Sequence, residues 1–141
     1  MREGTVREID HTADLGIEVE ADTAEEVFRQ AGLALFGFMV GPENVEIREE
    51  REVCVEAGDW EDLLHAWLSR LLQVFLVDGF IAKTIQVTDL GPARVKACLA
   101  GEPLDLDRHD FRTEIKAVTY HQLTLARREG GGWYARVIFD V

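Results

Sequence analysis

Ile81-Ala82-Lys83-Thr84-Ile85-Gln86-Val87-Thr88-Asp89-Leu90-Gly91-Pro92-Ala93-Arg94-Val95-Lys96-Ala97-Cys98-Leu99-Ala100 reads as two strands, Ile81 to Thr88 and Ala93 to Ala100. Ile85 and Val87 alternate with polar neighbours, the period of a sheet with one face covered. Asp89-Leu90-Gly91-Pro92 has the residues of a turn, so the strands form a hairpin. From Phe80 onward the pattern stays strand-like. Glu114 to His121 and Gln122 to Glu129 follow, then a final strand from Trp133. Gly130-Gly131-Gly132 between the last two is a hairpin tip; no helix start follows it to receive a phosphate.

Upstream, the periodicity changes to helical. Asp59 caps a helix, Glu61 and Asp62 fill its first turn, and Gly79 ends it. Trp60, Leu63, Leu64, Trp67, Leu68, Leu71, Leu72 and Phe75 make its wide apolar stripe, and His65 falls among its polar positions as a surface residue. A second helix starts with the Thr23/Glu26 capping-box spacing, carries Val27, Phe28, Ala31, Leu35, Phe38 and Met39, and stops at Gly41-Pro42. Val45 to Ala57 reads as a strand whose charged middle, Arg48 to Glu52, breaks the alternation; a bulge or a turn is expected there, with the charges protecting an edge. Thr5 to Ile9 and Leu15 to Ala21 are two more strands. In the second, Leu15, Ile17 and Val19 face one way, Glu18 and Glu20 the other. The expectation is an α+β fold in which two main amphipathic helices pack on a mostly antiparallel sheet. The lack of regular βαβ alternation argues against a doubly wound fold.

The chain has 141 residues, 47% hydrophobic and 30% charged, and is read as one globular domain over residues 1–141. Its 27 acidic and 15 basic side chains give a formal charge of −12, which argues against tight direct nucleic-acid binding. Such a balance suits metal ions or a basic partner, and serves solubility equally well. Met1-Arg2-Glu3-Gly4 leads into a charged strand without an apolar leader, and no window has the length of a membrane span. Cys54 and Cys98 form no CxxC and are read as buried free thiols. These features point to the cytoplasm.

The chemistry concentrates at the two ends. Asp10-His11-Thr12-Ala13-Asp14 sets two carboxylates, an imidazole and a hydroxyl before the second strand. Arg136-Val137-Ile138-Phe139-Asp140-Val141 ends on a side-chain carboxylate followed by the main-chain carboxylate of Val141. Local turn bonds and a frayed, solvated terminus are the ordinary readings. If the ends meet, Asp14, Asp140 and Val141 can hold a hard divalent cation through oxygen, Ca²⁺, Mg²⁺ or Mn²⁺. Lys116 stands either on the wet face of its strand or as a counter-charge to these acids, and His121 is equally open. The loop Gly101 to Asp110, with Glu102, Asp105, Asp107, His109 and Asp110, invites a metal-loop reading, although its spacing matches no EF-hand. No nucleophilic triad and no phosphate loop can be assembled, so no catalytic residue is assigned.

Three of these segments carry a resemblance: His11-Thr12-Ala13-Asp14-Leu15-Gly16, Glu114-Ile115-Lys116-Ala117-Val118-Thr119-Tyr120-His121, and Ala135-Arg136-Val137-Ile138-Phe139-Asp140-Val141. In this order, and with the Leu63 to Leu72 helix around Trp67, the chain resembles the archease family over essentially its whole length. Val45 to Glu56 and Gly101 to Asp110 lie outside the detailed similarity. The resemblance implies a non-catalytic, chaperone-like accessory protein of tRNA processing. Its implied partner is the RtcB-type RNA ligase of tRNA splicing and RNA repair, which uses GTP and a divalent metal and passes through a guanylylated histidine. Archeases promote that guanylylation and multiple turnover. The resemblance places the metal, calcium or a similar cation, on Asp14, Asp140 and Val141. It gives a functional role to Lys116, with His11 and His121 in the same motifs. A tRNA methyltransferase is the alternative partner. A metal-dependent phosphoester hydrolase is the rival reading from another class.

Overall fold

The computed structural model describes residues 4–11 and 14–141, without the side chains of Asp10 and His11. Thr12 and Ala13 of the polar entrance lie outside the described residues. The elements run β1 (Thr5–His11), β2 (Asp14–Ala21), α1 (Ala24–Met39), β3 (Glu49–Glu56), α2 (Trp60–Asp78), β4 (Phe80–Gly91), β5 (Arg94–Pro103), β6 (Ala117–Val118), β7 (Thr124–Arg127) and β8 (Trp133–Asp140). A 3-10 turn, Pro42–Asn44, follows α1. The fold is α+β with antiparallel strand pairs, as expected, but the strands form two sheets. One is β1-β2-β8-β6, with β7 also on β8; the other is β3-β5-β4.

Both helices start and stop where local chemistry dictates. The Thr23 hydroxyl accepts from the Glu26 amide (3.2 Å); the Glu26 carboxylate turns instead to Arg29 and Gln30, so only half of the capping box closes. The Asp59 carboxylate accepts from the Asp62 amide (2.8 Å), and Gly79 ends α2 at φ 65°, a left-handed turn that glycine adopts without a Cβ penalty. The stripe of α2 is buried from Leu63 to Phe75, and Trp60 lies at its half-buried margin. On α1, Phe36 is buried and Phe38 only half-buried, against the Phe139 ring at 6.0 Å. One core joins the two helices and both sheets. At its centre the fully buried Trp67 donates its indole N–H to the Phe28 carbonyl (3.0 Å), which satisfies its single donor and ties α2 to α1.

Several strands differ from the sequence reading. β3 is shorter than Val45 to Ala57, and its register against β5 is unbroken from Glu49 to Glu56, with neither bulge nor turn. The β4–β5 hairpin turns at Pro92-Ala93, since β4 continues through Asp89 to Gly91. Of Glu114 to His121 only Ala117 and Val118 are strand, and of Gln122 to Glu129 only Thr124 to Arg127. Both cysteines are free, but Cys54 is exposed and Cys98 half-buried. They lie on the open face of the small sheet, where period-2 alternation sends them away from the core.

Gly101 is the tightest point. A Cβ there would stand 1.8 Å from the Ile81 carbonyl oxygen, beside the register shift between Ala82 and Thr84. Backbone cannot yield as a side-chain tip can. Gly101→Ala is expected to cost roughly 2–4 kcal/mol and to lower the melting temperature by on the order of 10 °C, read by thermal denaturation followed by circular dichroism.

Candidate functional site

The site is built by strand register. β2 and β8 pair with Leu15 opposite Phe139 and Ile17 opposite Val137, which sets Asp14 directly opposite Asp140. Ile17, Val137 and Phe139 are fully buried, so alternation turns both aspartates to the outer face. On the far side of β2, His11 of β1 stands opposite Asp14. On the far side of β8, Ala117 of β6 stands opposite Asp140, and the Lys116 amide donates to the Asp140 carbonyl (2.8 Å). Three stretches distant in sequence thus meet at one end of the five-stranded sheet. The end of the chain is not frayed: β8 is paired on both sides up to Asp140, and Val141 packs against the core.

Further along the same outer face, charges are compensated. Glu18 accepts from Arg7 (2.5 Å) and from Arg136 (2.8 Å), and Arg136 also holds the Gln122 amide oxygen (2.9 Å). Arg128 reaches Glu20 (2.5 Å) and lies over the Tyr134 ring. Between this network and the aspartates, Ile138 covers Gly16; a Cβ on Gly16 would meet Ile138 Cδ1 at 2.7 Å. The end row differs. Among the described residues, Asp14, Asp140 and Lys116 make no ion pair or side-chain hydrogen bond with one another. Like charges directly opposite on neighbouring strands are destabilising; among the described residues no third His, Cys, Asp or Glu side chain joins the two aspartates in a metal-holding group.

Of the remaining candidates, His121 is exposed and held by its own amide to the Thr119 hydroxyl (3.2 Å). That hydroxyl in turn donates to the Ile138 carbonyl (2.9 Å). His121 therefore sits beside the Ile138 row, not the aspartate row. His65 is half-buried, not a surface residue: its Nε2 meets the Val118 carbonyl (2.9 Å) and its ring stacks on Tyr120 at 3.8 Å. Through it α2 clamps β6 and fixes the segment that carries Lys116. The Glu18–Arg136–Gln122 network was not singled out in sequence, although Glu18 and Arg136 both fall on outward positions of their strands.

The metal-loop reading of Gly101 to Asp110 is overturned. Among the described residues no group of three or more His, Cys, Asp or Glu side chains is placed to hold a metal. Glu102 is buried and fully engaged: it accepts from the Glu46 amide (2.6 Å), the Arg108 guanidinium and His109 Nε2 (3.1 Å). His109 Nδ1 accepts the Asp105 amide (2.8 Å), which leaves the ring proton on Nε2 for Glu102. Asp105 accepts the Asp107 amide (3.0 Å), and Asp110 pairs with Arg112 (3.0 Å). The acids of this loop organise its own backbone.

The comparisons with known proteins follow the same geometry. The model of the archease protein family matches residues 7–141. The chain belongs to the archease family. The archease of Methanosarcina mazei is 42% identical over 137 residues, covering 94% of this chain and 93% of that one. The archease of Methanopyrus kandleri is 40% identical, covering 95% and 97%. The solution structure of Methanobacterium thermoautotrophicum protein 1598 superposes with a TM-score of 0.77 at 32% identity, over the whole of both chains. A Thermotoga maritima archease, described as a possible chaperone, superposes at 0.67 with 23% identity and shares the fold. Within this archease the matched region takes in the aspartate row and the Lys116 segment.

Two measurements test this geometry. Asp140→Asn removes one of two facing charges and is expected to raise stability by up to about 1 kcal/mol in chelator-treated, low-salt buffer, read by urea denaturation. Glu102 is held down to about 2 from its ordinary value of 4.5, first by the hydrogen bond from Arg108, against the upward push of burial. Its stabilisation is complete above about 4.5 and is lost as pH falls through about 2. Glu102→Gln is expected to be less stable at neutral pH by roughly 2–4 kcal/mol and to show a flatter acid limb between pH 4.5 and 2, measured by denaturation across that window.

Proposed function

We propose that this archease is a non-enzymatic accessory protein that activates an RtcB-type RNA ligase, acting through the aspartate row. The observation that carries the reading is the register that sets Asp14 opposite Asp140 with the Lys116 amide on the Asp140 carbonyl (2.8 Å). Asp14, Asp140 and a main-chain oxygen of Val141 would hold a divalent cation, Ca²⁺, Mg²⁺ or Mn²⁺. In favour of this reading, the donors are all oxygen, with half-buried Asp14 facing exposed Asp140 at a strand end held by packing on the core; the two aspartates alone make no three-carboxylate group among the described residues, so the Val141 oxygen is needed. Such a cation would supply positive charge beside a nucleotide phosphate in a partner's active site.

The chain's own residues then have separate roles. Asp14 and Asp140 bind, and the β2–β8 ladder orients them. Lys116 places an exposed ammonium on the neighbouring segment, able to meet a phosphate or a partner carboxylate. His11 stands opposite Asp14 in the β1–β2 register, and His121 lies beside the Ile138 row. With a net charge of −12, an effect on RNA runs through the partner protein rather than through tight direct binding. This reading places the protein in the cytoplasm with its partner. No helix of the described residues is long and apolar enough to cross a membrane. The description of the Thermotoga maritima relative as a possible chaperone supports a second reading, in which the same surface modulates a tRNA-modifying enzyme such as a methyltransferase.

The deciding experiment is multiple-turnover RNA ligation by the cognate ligase with substoichiometric amounts of this protein. Wild type is expected to raise turnover; Asp14→Ala and Asp140→Ala to lose at least about tenfold of that stimulation, and Lys116→Ala a comparable share. Equal stimulation by all variants would keep the partner and remove the aspartate row. No stimulation by wild type would remove the ligase reading and direct the test to the methyltransferase.

A further inference from the structure

The two outer edges of the small sheet are unlike. β4 is interrupted by register irregularities between Ala82 and Thr84 and between Val87 and Asp89, and Lys83 on it donates to the Val45 carbonyl (2.7 Å). Irregularities of this kind spoil an edge as a template for further strands. β3 has neither protection. Its register is unbroken over Glu49 to Glu56, and among the described residues no strand pairs with its other side. It therefore presents a row of backbone donors and acceptors without a strand partner, of which the Glu50 carbonyl accepts from the Arg51 guanidinium (3.3 Å).

A groove of about 650 Å³ lies beside this edge, between β3 and α2. Val55, with Cys54 and Glu56 at the strand edge, lines one wall; the other mixes apolar Leu72, Leu76 and Val77 with polar Ser69, Arg70 and Gln73. Leu76 is 55% and Val77 73% exposed, although the rest of the apolar surface of α2 faces the core. From Ala66 to Val77 the helix wall is roughly 16 Å long, room for about five residues of extended chain. On the opposite face of β3, alternation exposes Glu50, Glu52 and Glu56. The cations nearby are otherwise engaged: Arg51 pairs with Glu49, Arg48 with Glu46 and Glu102, and Arg94, opposite Glu56, with Asp89. Lys96, opposite Cys54, is the basic side chain of β5 left on that face.

We propose that the free edge of β3 and the groove between β3 and α2 dock an extended segment of a partner protein as a fourth strand of the small sheet. The segment alternates apolar and basic residues. Its apolar side chains enter the groove against Leu76 and Val77, and its basic side chains cross the other face over Glu50, Glu52 and Glu56. Main-chain bonds to β3 give affinity, and the two faces give specificity. A second copy of this chain does not fit the edge, because pairing β3 with itself sets glutamates against glutamates. The surface lies on the other sheet from the aspartate row, so it stands or falls independently of the ligase reading.

The test uses the full chain and a labelled eight-residue peptide of alternating lysine and valine. Fluorescence anisotropy measures binding, and amide chemical shifts with hydrogen exchange locate it. The peptide is expected to slow exchange along residues 49–56 and to shift Leu76 and Val77. A peptide of equal charge with a central proline, which cannot complete the ladder, is expected to bind about tenfold or more weakly. Leu76→Asp is expected to weaken binding by a similar factor. The exposed triple variant Glu50→Lys/Glu52→Lys/Glu56→Lys should lose the lysine peptide and gain a glutamate–valine peptide instead. Equal binding of the proline peptide would reduce the attraction to the general field of an acidic chain and overturn the proposal. Shifts confined to β1 or the aspartate row, or self-association through β3 without peptide, would overturn it as well.

Discussion

The pairing of β2 with β8 is the constraint on which the rest depends. It joins Asp14–Ala21 to Trp133–Asp140, a contact across nearly the whole chain, and β8 then carries β7 and β6 on its other side. Register is tightly specified because a slip of one residue would turn Ile17, Val19, Ala135, Val137 and Phe139, all fully buried, out to solvent. The polar face is specified to match. Glu18 meets Arg136, and Gly16 leaves space under Ile138, so both faces agree on one alignment. The opposition of Asp14 and Asp140 is a consequence of that alignment, not a local feature of either segment.

That origin explains how two facing carboxylates persist at the sheet's end. Elsewhere on this face acids are answered by arginines: Glu18 by two, Glu20 by Arg128. Repulsion of up to about 1 kcal/mol between exposed aspartates is small beside the burial of five core side chains on the two strands, each contributing of order 1–3 kcal/mol. The core therefore imposes the row. The Glu102 cluster follows the reverse logic. There the charge is buried, and both carboxylate oxygens are met, by Arg108, His109 and the Glu46 amide, because a buried charge without partners is not tolerated.

Local chemistry was legible in the sequence where it is local in cause. Thr23, Asp59 and Gly79 bound the helices as their side chains and conformational freedom require, and the alternation of β2 and β8 gave the correct faces. What period alone could not supply was long-range pairing. The strand Ala117–Val118 is two residues long and is held from outside, by β8 and by His65 of α2; the strand-like run Glu114 to His121 overstated its length. β3 kept its register through Arg48 to Glu52 because β5 supplies a regular partner, whatever the charges suggest. In the Gly101 to Asp110 loop, the count of acids looked like a metal site until Arg108 and His109 were seen to turn inward on Glu102. The aspartates were placed at the ends of the right strands, but only the structure sets them opposite one another.

The acidic surface thus has three distinct physical states. Where arginines answer it, on the outer face of the large sheet, it fixes register. Where the core forces two carboxylates together, at Asp14 and Asp140, no ion pair answers it among the described residues. Along β3, glutamates face solvent beside an edge that no strand of the described residues pairs and a groove of mixed polar and apolar lining. Charge of one sign on an edge repels copies of itself and attracts a strand of the opposite sign. A net charge of −12 is therefore not a uniform coat. It is organised by strand alternation into compensated and uncompensated rows, and the uncompensated rows are where binding is physically favoured.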